Sequence, residues 1–257
     1  MSAPVFICPA AADAVVGDVV TLTGAEARHA GTVQRRREGE RLDLVDGGGR
    51  RVRGPIVAVR DGELDVRVDD AACDDDPPIT LVQALAKAGR DEQAVESATE
   101  LGVTRIIPWA AERSIVQWRG PKADKGRAQW SSLATAATKQ SRRARIPVVE
   151  AVHSSKEIDA AIRDAVSRGE RVLVLHEAAA TPLSSLTWAD LRQPVWLIVG
   201  PEGGISEDEV ERFTAAGAEL VLLGPHVLRA SSAGPAAIAG LAVARGTWAQ
   251  ARPTLGT

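Results

Sequence analysis

The sequence has few of the residues on which several protein classes depend. Its 257 residues include only two cysteines, Cys8 and Cys73, which excludes a disulfide framework and a four-cysteine zinc site. Tyrosine is absent and phenylalanine occurs twice, which argues against an RNA-binding sheet built on stacked aromatic side chains. No apolar run approaches the roughly 18 residues of a membrane helix, and residues 1–9 lack the pattern of a secretory signal. We therefore expect a cytoplasmic protein with no membrane segment and no bound metal.

Charge is distributed unevenly along the chain. The formal net charge is −3, yet the stretch from Arg113 to Arg145 contains nine Lys or Arg residues and one acid, Asp124. That stretch carries +8, so the remainder carries −11. A second basic cluster surrounds residues 35–37. Basic clusters on an acidic protein are typical of a polyanion-binding surface, and two of them favour nucleic acid over two solvated helix faces.

The first 73 residues predict a small β-barrel. Alternating or β-branched stretches separated by Asp-Gly and Gly-rich turns indicate strands at residues 19–22, 41–45, 55–59 and 63–68. One helix is predicted over residues 23–37. Residues 74–78, Asp-Asp-Asp-Pro-Pro, are charged, contain proline and have no apolar periodicity, so they are predicted to be a linker.

From residue 79 onward the pattern alternates between strands and helices. Strands are predicted at residues 79–85, 105–109, 172–175, 195–199 and 220–223. Helices are predicted at residues 91–101, 126–142, 156–168, 206–216 and 234–245, and Ser206 with Glu209 has the spacing of a capping box. Near-continuous apolar strands that alternate with helices indicate a parallel sheet covered on both faces.

Two connections that follow strands of this sheet stand out. Residues 200–206, Gly-Pro-Glu-Gly-Gly-Ile-Ser, join a buried strand to a capped helix, and glycines there allow a ligand to approach backbone N–H groups. Residues 222–233 leave the next strand and enter the last helix. Ligands of open α/β sheets bind beyond the carboxyl ends of strands. The spacing matches neither a dinucleotide fingerprint nor a phosphate-binding loop of the Walker type, and no G-x-S-x-G elbow is present.

These residues carry a family resemblance. IVGPEGGISEDEV at 198–210 with LGPHVLRASSA at 223–233 resembles the knotted SPOUT methyltransferases, and in particular the 16S ribosomal RNA (uracil-N3) methyltransferase family. The resemblance extends upstream to TELGV at 99–103, ERS at 112–114 and QSRR at 140–143, and more weakly to residues 29–39 and 46–47. It therefore covers nearly the whole chain.

The resemblance implies a fold and a set of domains. It implies an α/β fold whose C-terminal parallel-sheet domain, residues 79–257, contains a trefoil knot of the SPOUT type. A small N-terminal β-barrel of the PUA-like type is expected over residues 1–73, with a linker at 74–78. It also implies a homodimer that uses S-adenosylmethionine to methylate N3 of a uridine in 16S ribosomal RNA, within the small ribosomal subunit.

Residue roles follow from the same resemblance. The cofactor is expected to bind, through backbone groups and apolar side chains, to Leu175, His176, Glu177, Gly200, Pro201, Glu202, Gly203, Gly204, Leu223, Gly224, Val227 and Leu228. Arg229 is the candidate catalytic residue, because a cation stabilises the uracil anion that forms when N3 loses its proton. Its alternative roles are a phosphate contact or a salt bridge. Glu202 has a structural alternative, and His226 is a candidate base, with solvent as the other proton acceptor.

RNA contacts are expected from basic residues of both domains. The predicted set is Arg28, His29, Arg35, Arg36, Arg37, Lys87, Arg113, Arg142, Arg143 and Arg145. Contacts to phosphates supply affinity and register, whereas the target base must leave its stack to be methylated.

Two other functions remain open from the sequence. A knotted enzyme that methylates a ribose 2′-hydroxyl would bind the same cofactor. A ribosome-assembly factor without turnover is the second alternative, because Ala230-Ser231-Ser232-Ala233 stands where the family often has Thr-Glu-Thr-Ala. Any role of that glutamate does not transfer, and Pro225-His226 also departs from the family pattern.

Overall fold

The computed structural model describes residues 3–249, which form two units. The first unit comprises residues 3–75 together with Thr138–Ile146, and the second comprises residues 76–137 and 147–249. The predicted boundaries assign 138–146 to the larger domain, whereas the structure groups this segment with the first unit. The outer ends of the two predicted domains, residues 1–2 and 250–257, lie outside the described residues.

Six strands form the sheet of the first unit. They are β1 (Val5–Ile7), β2 (Val19–Leu22), β3 (Arg41–Val45), β4 (Arg50–Arg60), β5 (Glu63–Arg67) and β6 (Asp70–Cys73). The order is β1-β3-β4-β5-β2, with β6 also paired to β4; β1 runs parallel to β3 and every other pair is antiparallel. The core of this unit is built by side chains from these strands, among them Phe6, Leu42, Leu44, Val52, Ile56 and Leu64. Burial of each such side chain contributes about 1.5–3 kcal/mol.

The helix predicted over residues 23–37 is shorter in the structure. Helix α1 (Gly24–Arg28) continues only as a π-helical turn at His29–Val33. Arg35 has a φ of +54°, in the left-handed region that a right-handed helix cannot contain. The basic residues 35–37 therefore lie in a loop instead of a helix.

Asp74 is held by hydrogen bonds, although the sequence predicts a linker there. Its Oδ2 accepts from Arg51 Nη2 at 2.9 Å and from the Ala144 amide at 2.7 Å. Arg51 is buried, and it also bonds Asp43 Oδ2 at 3.0 Å and the Arg142 carbonyl at 2.8 Å. A buried charge is tolerated only when it is paired and hydrogen-bonded. This group of bonds explains why 138–146 belongs to the first unit.

The second unit contains a parallel sheet, as predicted. Its strands are β7 (Ile79–Ala84), β8 (Arg105–Ala110), β9 (Val148–Val149), β10 (His153–Ser154), β11 (Arg171–Leu175), β12 (Val195–Val199) and β13 (Glu219–Val221). The order is β10-β8-β7-β12-β11-β13, with β9 also against β8, and every pair is parallel. Strands β9 and β10 are not predicted from the sequence, because a strand of two residues is too short to show an alternating apolar pattern.

Helices cover both faces of this sheet. They are α2 (Arg90–Glu100), α3 (Pro121–Gln140), α4 (Ser155–Ser167), α5 (Glu207–Ala215) and α6 (Ala230–Ala244). Leu197 of β12 faces a core shared with α2, α3 and α6, while its neighbours Trp196 and Ile198 face a core shared with α4 and α5. This alternation explains the apolar sequence of β12. The capping box predicted at Ser206 and Glu209 is confirmed.

The segments that follow β11 and β13 pair with each other. The Leu222 amide donates to the Thr181 carbonyl, and the Leu183 amide donates to the Leu222 carbonyl, both at 2.8 Å. The predicted trefoil knot involves these segments and stays a prediction. Among the described residues, no helix is long and apolar enough to cross a bilayer, and no group of three acidic, His or Cys side chains is arranged to bind a metal.

Candidate active site

Three predicted cofactor segments follow neighbouring strands of the second unit. β12 lies between β7 and β11, and β13 pairs with the outer side of β11. Because all these strands are parallel, their carboxyl ends lie at one edge of the sheet. This arrangement brings residues 175–177, 200–204 and 223–229 to the same edge. We call residues 200–205 the glycine loop and residues 222–229 the last loop.

The glycine loop has a shape that depends on its glycines. The Gly204 amide donates to the Pro201 carbonyl at 2.9 Å, and Gly204 has a φ of +74°. A Cβ on Gly200 would lie 2.6 Å from Ile205 Cγ1, and a Cβ on Gly203 would lie 3.2 Å from Arg113 Cβ. A side chain at Gly200 would therefore force the loop to move.

Neighbouring segments of the chain form hydrogen bonds with the glycine loop. Glu202 Oε1 accepts from the Lys87 amide at 3.2 Å and from Arg90 Nη1 at 3.1 Å. Arg113 Nη1 donates to the Gly203 carbonyl at 3.3 Å. These contacts support the structural alternative for Glu202. They also place Lys87 and Arg113, which the sequence analysis predicts to bind RNA, beside the glycine loop.

The last loop is held less closely from residue 223 onward. In the described part of the chain, no backbone amide from residue 223 to residue 229 donates a hydrogen bond to another protein group. Val227 is 78% exposed and Leu228 is 42% exposed, while a Cβ on Gly224 would meet nothing within 4 Å. Free amides beside exposed apolar side chains form a surface to which a flat, polar-edged ligand can bind.

Arg229 and His226 are both exposed on this loop. Arg229 precedes α6 as its N-cap residue, and its side chain makes no capping bond there. Among the described residues, the Arg229 guanidinium has neither an ion pair nor a hydrogen bond. Of the roles considered for Arg229, a salt bridge within the described chain is therefore not observed.

The segment after β11 is fixed by its own backbone. The His176 amide donates to the Val221 carbonyl at 3.1 Å, and His176 Nδ1 accepts from the Ala178 amide at 3.2 Å. Glu177 is exposed and Leu175 is half-buried. The contact between the His176 ring and the Ala178 amide closes a short turn directly after β11.

Glu209 and Glu112 are structural residues of this edge that sequence reasoning did not assign. Glu209 is fully buried and its carboxylate accepts hydrogen bonds from three segments of the chain. Glu112 accepts from Ser206 Oγ at 2.6 Å and from Arg212 Nη2 at 2.7 Å, and these bonds hold the pKa of its carboxyl below the usual range. The capping-box spacing revealed Glu209, but no sequence signal indicates its contacts beyond that helix.

The predicted RNA-binding residues of the first unit differ in exposure. Arg28, Arg35 and Arg37 are exposed, His29 is half-buried, and Arg36 bonds Glu40 at 3.0 Å. Arg145 is half-buried, with its guanidinium over Gly49. Arg142, half-buried, has a φ of +59° and its carbonyl accepts from Arg51.

Arg143 is the exception among these basic residues. It is only 6% exposed, so its guanidinium is not accessible to a phosphate in this structure. By contrast, Arg119, which precedes α3, and Lys122 and Lys125, near the start of α3, are exposed and form no ion pair in the described chain. These three belong to the segment of charge +8, and that charge was the feature of the sequence that could have identified them as RNA-binding residues.

Comparison with known families covers most of the chain. Residues 74–242 match the model of an RNA methyltransferase domain, and residues 22–69 match that of an RNA methyltransferase PUA domain. The ribosomal RNA small subunit methyltransferase E of Mycobacterium tuberculosis is 42% identical over 90% of this chain and 89% of its own length. The chain belongs to this RNA methyltransferase family. The resemblance inferred from the sequence is thereby confirmed, as is the α/β fold with a PUA-like N-terminal domain.

More distant members of the family agree. The Bacillus subtilis ribosomal RNA small subunit methyltransferase E is 29% identical over 83% of this chain and 85% of its own length. A crystal structure of the Neisseria gonorrhoeae member, bound to S-adenosyl methionine, has a TM-score of 0.81 and 28% identity. It covers 94% of this chain and 98% of the other.

Proposed function

We propose that this protein methylates N3 of a uridine in 16S ribosomal RNA, with S-adenosylmethionine as the methyl donor. Family membership supports the class of reaction, which is cofactor-dependent methylation of ribosomal RNA. The structural observation that carries the proposal is the sheet edge at which the glycine loop follows β12 and the last loop follows β13, the two parallel strands on either side of β11. At that edge, the exposed apolar side chains and free amides of the last loop lie next to Arg229, which has no ion pair within the described residues.

The residues of this edge fit the cofactor. The free backbone N–H groups of residues 223–229, a range in which only Pro225 has none, suit the hydrogen-bonding edge of an adenine. Leu223 and Leu228 suit its faces. The open space beside Gly224 leaves room for a ligand close to the backbone. When bound, the cofactor supplies a methyl group already activated by its sulfonium. We propose that the predicted cofactor residues hold it, with Glu202 acting through the shape of the glycine loop.

The protein's own task is alignment and charge stabilisation. Bringing two reactants into line accounts for a large part of such a rate enhancement. Uracil N3 must lose a proton, which leaves negative charge on the ring, and we assign the stabilisation of that charge to Arg229. The guanidinium is exposed and unpaired in the described chain, so it is available to a base. The proton passes to solvent or to His226, which is exposed on the same loop.

RNA binding is assigned to the exposed basic residues. In the first unit these are Arg28, Arg35 and Arg37, with support from His29, Arg36, Arg142 and Arg145. In the second unit we propose Lys87 and Arg113, and we add Arg119, Lys122 and Lys125. Arg143 is left out because it is buried.

This assignment predicts a change in salt dependence. Each phosphate contact contributes about 0.7–0.9 to the slope of log affinity against log salt. The variant Arg37→Glu should weaken RNA binding and reduce that slope by about one contact. Lys156→Glu makes the same charge change at an exposed position of α4 and should leave the slope unchanged. Equal slopes for the two variants would contradict the assignment of Arg37.

We further propose a cytoplasmic homodimer that acts on the small ribosomal subunit. Exposed apolar side chains on and after α6, Val243 at 68% and Trp248 at 55%, support a partner surface. We also retain as proposals the trefoil knot and the domain boundaries 1–73, 74–78 and 79–257, except that residues 138–146 group with the first unit.

One experiment tests the function against its alternatives. Purified protein and labelled cofactor would be incubated with small subunits from a strain that lacks the gene, and the product nucleosides would be identified by mass spectrometry. Methyl on uracil N3 is the expected result. Methyl on a ribose 2′-hydroxyl would establish the second enzyme activity instead. RNA binding without cofactor binding in calorimetry would establish an assembly factor.

A further inference from the structure

One buried carboxylate connects several segments beside the glycine loop. Glu209 Oε1 accepts from Ser155 Oγ at 2.5 Å and from the Glu112 amide at 2.8 Å. Its Oε2 accepts from the Ser206 amide at 3.0 Å. Glu209 is 0% exposed, and Ser155 Oγ also accepts from Trp109 Nε1 at 3.1 Å. The carboxylate therefore joins α5, the start of α4, the segment after β8 and the end of the glycine loop.

The groups that Glu209 holds are those that border the glycine loop. Ser206 follows the loop directly in sequence. Glu112 precedes Arg113, whose Nη1 donates to the Gly203 carbonyl at 3.3 Å and whose Cβ lies against Gly203. One side chain, that of Glu209, thus bonds both the residue after the glycine loop and the segment after β8, and so fixes the distance between them.

A helix cap alone does not explain these contacts. The chain contains a second capping box, in which Ser154 and Glu157 begin α4. There, the Glu157 carboxylate accepts from the Ser154 amide and hydroxyl at 2.7 Å and is exposed. Within residues 3–249 it bonds no other segment. Glu209 performs the same capping and in addition bonds two groups outside its helix. Complete burial of a carboxylate is costly unless each oxygen has donors, and here each oxygen does.

We propose that Glu209 is a positioning residue, which fixes the shape of the glycine loop that the cofactor requires. The inference rests on the proposed function, since it concerns the same cofactor. Glu209 does not itself line the exposed surface, so it acts through Glu112, Arg113 and Ser206. A mutation here should change the affinity for cofactor more than the rate of transfer at saturation.

The test compares Glu209→Gln with Glu157→Gln. A glutamine places an N–H donor against either the Ser206 amide or the Glu112 amide, so one of the bonds is lost. We expect Glu209→Gln to weaken S-adenosylmethionine binding about tenfold in calorimetry, with kcat at saturating cofactor within about threefold of the wild type. Glu157→Gln makes the same substitution in the second capping box and should leave the affinity within about twofold. Melting temperatures of both variants would show how much stability each change removes.

A second measurement does not depend on ligand binding. In the ligand-free protein, the Gly204 amide is bonded to the Pro201 carbonyl and should be protected from hydrogen exchange. Exchange at Gly204 should be faster in Glu209→Gln than in Glu157→Gln. Should Glu209→Gln not fold, Ser155→Ala, which removes one donor, takes its place and should show the same changes to a smaller degree.

Two results would overturn the inference. One is wild-type exchange at Gly204 with unchanged cofactor affinity in the variant. The other is a loss of affinity that follows the fall in melting temperature equally in Glu209→Gln and Glu157→Gln, which would indicate a purely structural role. Failure of the wild type to bind the cofactor would instead contradict the proposed function, and the exchange measurement would still test the role of Glu209 in shaping the loop.

Discussion

The glycine loop and the last loop lie at the same edge of one sheet but are held in different ways. The glycine loop is bonded through Glu202 to the Lys87 amide and Arg90, and through Gly203 to Arg113, and Ser206, which follows the loop, is bonded to Glu209. In the described chain, the last loop donates no amide hydrogen bond between residues 223 and 229 and exposes Val227 and Leu228. The protein thus fixes one loop by its own contacts and leaves the donors of the other available.

This difference suggests a division of roles. A loop with satisfied backbone groups keeps its shape without a ligand, so its contribution to binding is preorganisation. A loop with exposed N–H donors forms hydrogen bonds with water, and a ligand that binds there replaces that water. Mutations in the glycine loop should therefore affect stability and binding together, whereas mutations in the last loop should affect binding or turnover alone.

The largest effect is expected from Arg229→Ala. Loss of the cation should reduce methyl transfer about 100-fold or more, the usual cost of removing one charge-stabilising donor. The melting temperature should not change, because the side chain makes no capping bond to α6. Cofactor affinity should stay within several-fold of the wild type.

The control for this variant is Arg229→Lys, which keeps the charge and should retain part of the turnover. Methyl transfer to small subunits and cofactor calorimetry are the two measurements. Full activity of Arg229→Ala would refute the assigned role.

The next largest effect is expected from replacing one glycine in each loop by alanine. Gly200→Ala places a Cβ 2.6 Å from Ile205 Cγ1, which should cost about 1–3 kcal/mol of stability and weaken cofactor binding about tenfold. Gly224→Ala meets no atom within 4 Å and should leave the stability unchanged or slightly raised. Thermal unfolding of both variants measures the contrast. Equal destabilisation would show that the last loop is held as firmly as the glycine loop.

A smaller effect is expected from Leu228→Ala. The side chain is 42% exposed, so its truncation should cost little stability. In the wild type, the bound cofactor would cover this side chain, and complete burial of a leucine contributes roughly 1.5–3 kcal/mol. The variant loses part of that contribution, so its cofactor affinity should be about threefold to tenfold weaker. Leu191→Ala, at a residue of the same type that is 50% exposed and lies before β12, is the matched control. Equal affinities for the two variants would remove Leu228 from the site.

Much of this edge could be predicted from local sequence patterns. The apolar run of β12 and the Ser206–Glu209 spacing each depend on neighbouring residues, and the structure confirms both. The order of parallel strands then brings the loops together, because carboxyl ends share an edge. The family resemblance supplied the assignment to a cofactor.

Features that depend on distant contacts could not be predicted. Arg143 lies in a basic stretch that suggests exposure, but it belongs to a segment packed with the first unit and is buried. Asp74 has the composition of a linker, yet it bonds Arg51 and the Ala144 amide. The bond between Glu209 and the Glu112 amide joins residues 97 positions apart. No local periodicity encodes such a pairing.

The smallest effect concerns the bond between Glu112 and Ser206, which helps to hold the glycine loop. Hydrogen bonds from Ser206 and Arg212 lower the pKa of Glu112 in the folded protein. The stabilisation is therefore fully present above the usual glutamate pKa of about 4.3 and is lost as the pH falls through the lower folded pKa. Glu112→Gln should be slightly less stable than the wild type at neutral pH, by less than about 1 kcal/mol, as for other exposed pairs.

The pH dependence of this difference separates the bond from other effects of the mutation. Other carboxylates titrate equally in both proteins, so their contributions cancel in the comparison. The stability gap between wild type and Glu112→Gln, measured by chemical unfolding, should narrow as the pH is lowered below the usual glutamate range. A gap of constant size across that range would show that the charge of Glu112 does not stabilise the glycine loop, and the contrast with the last loop would then rest on Glu202, Arg113 and Glu209 alone.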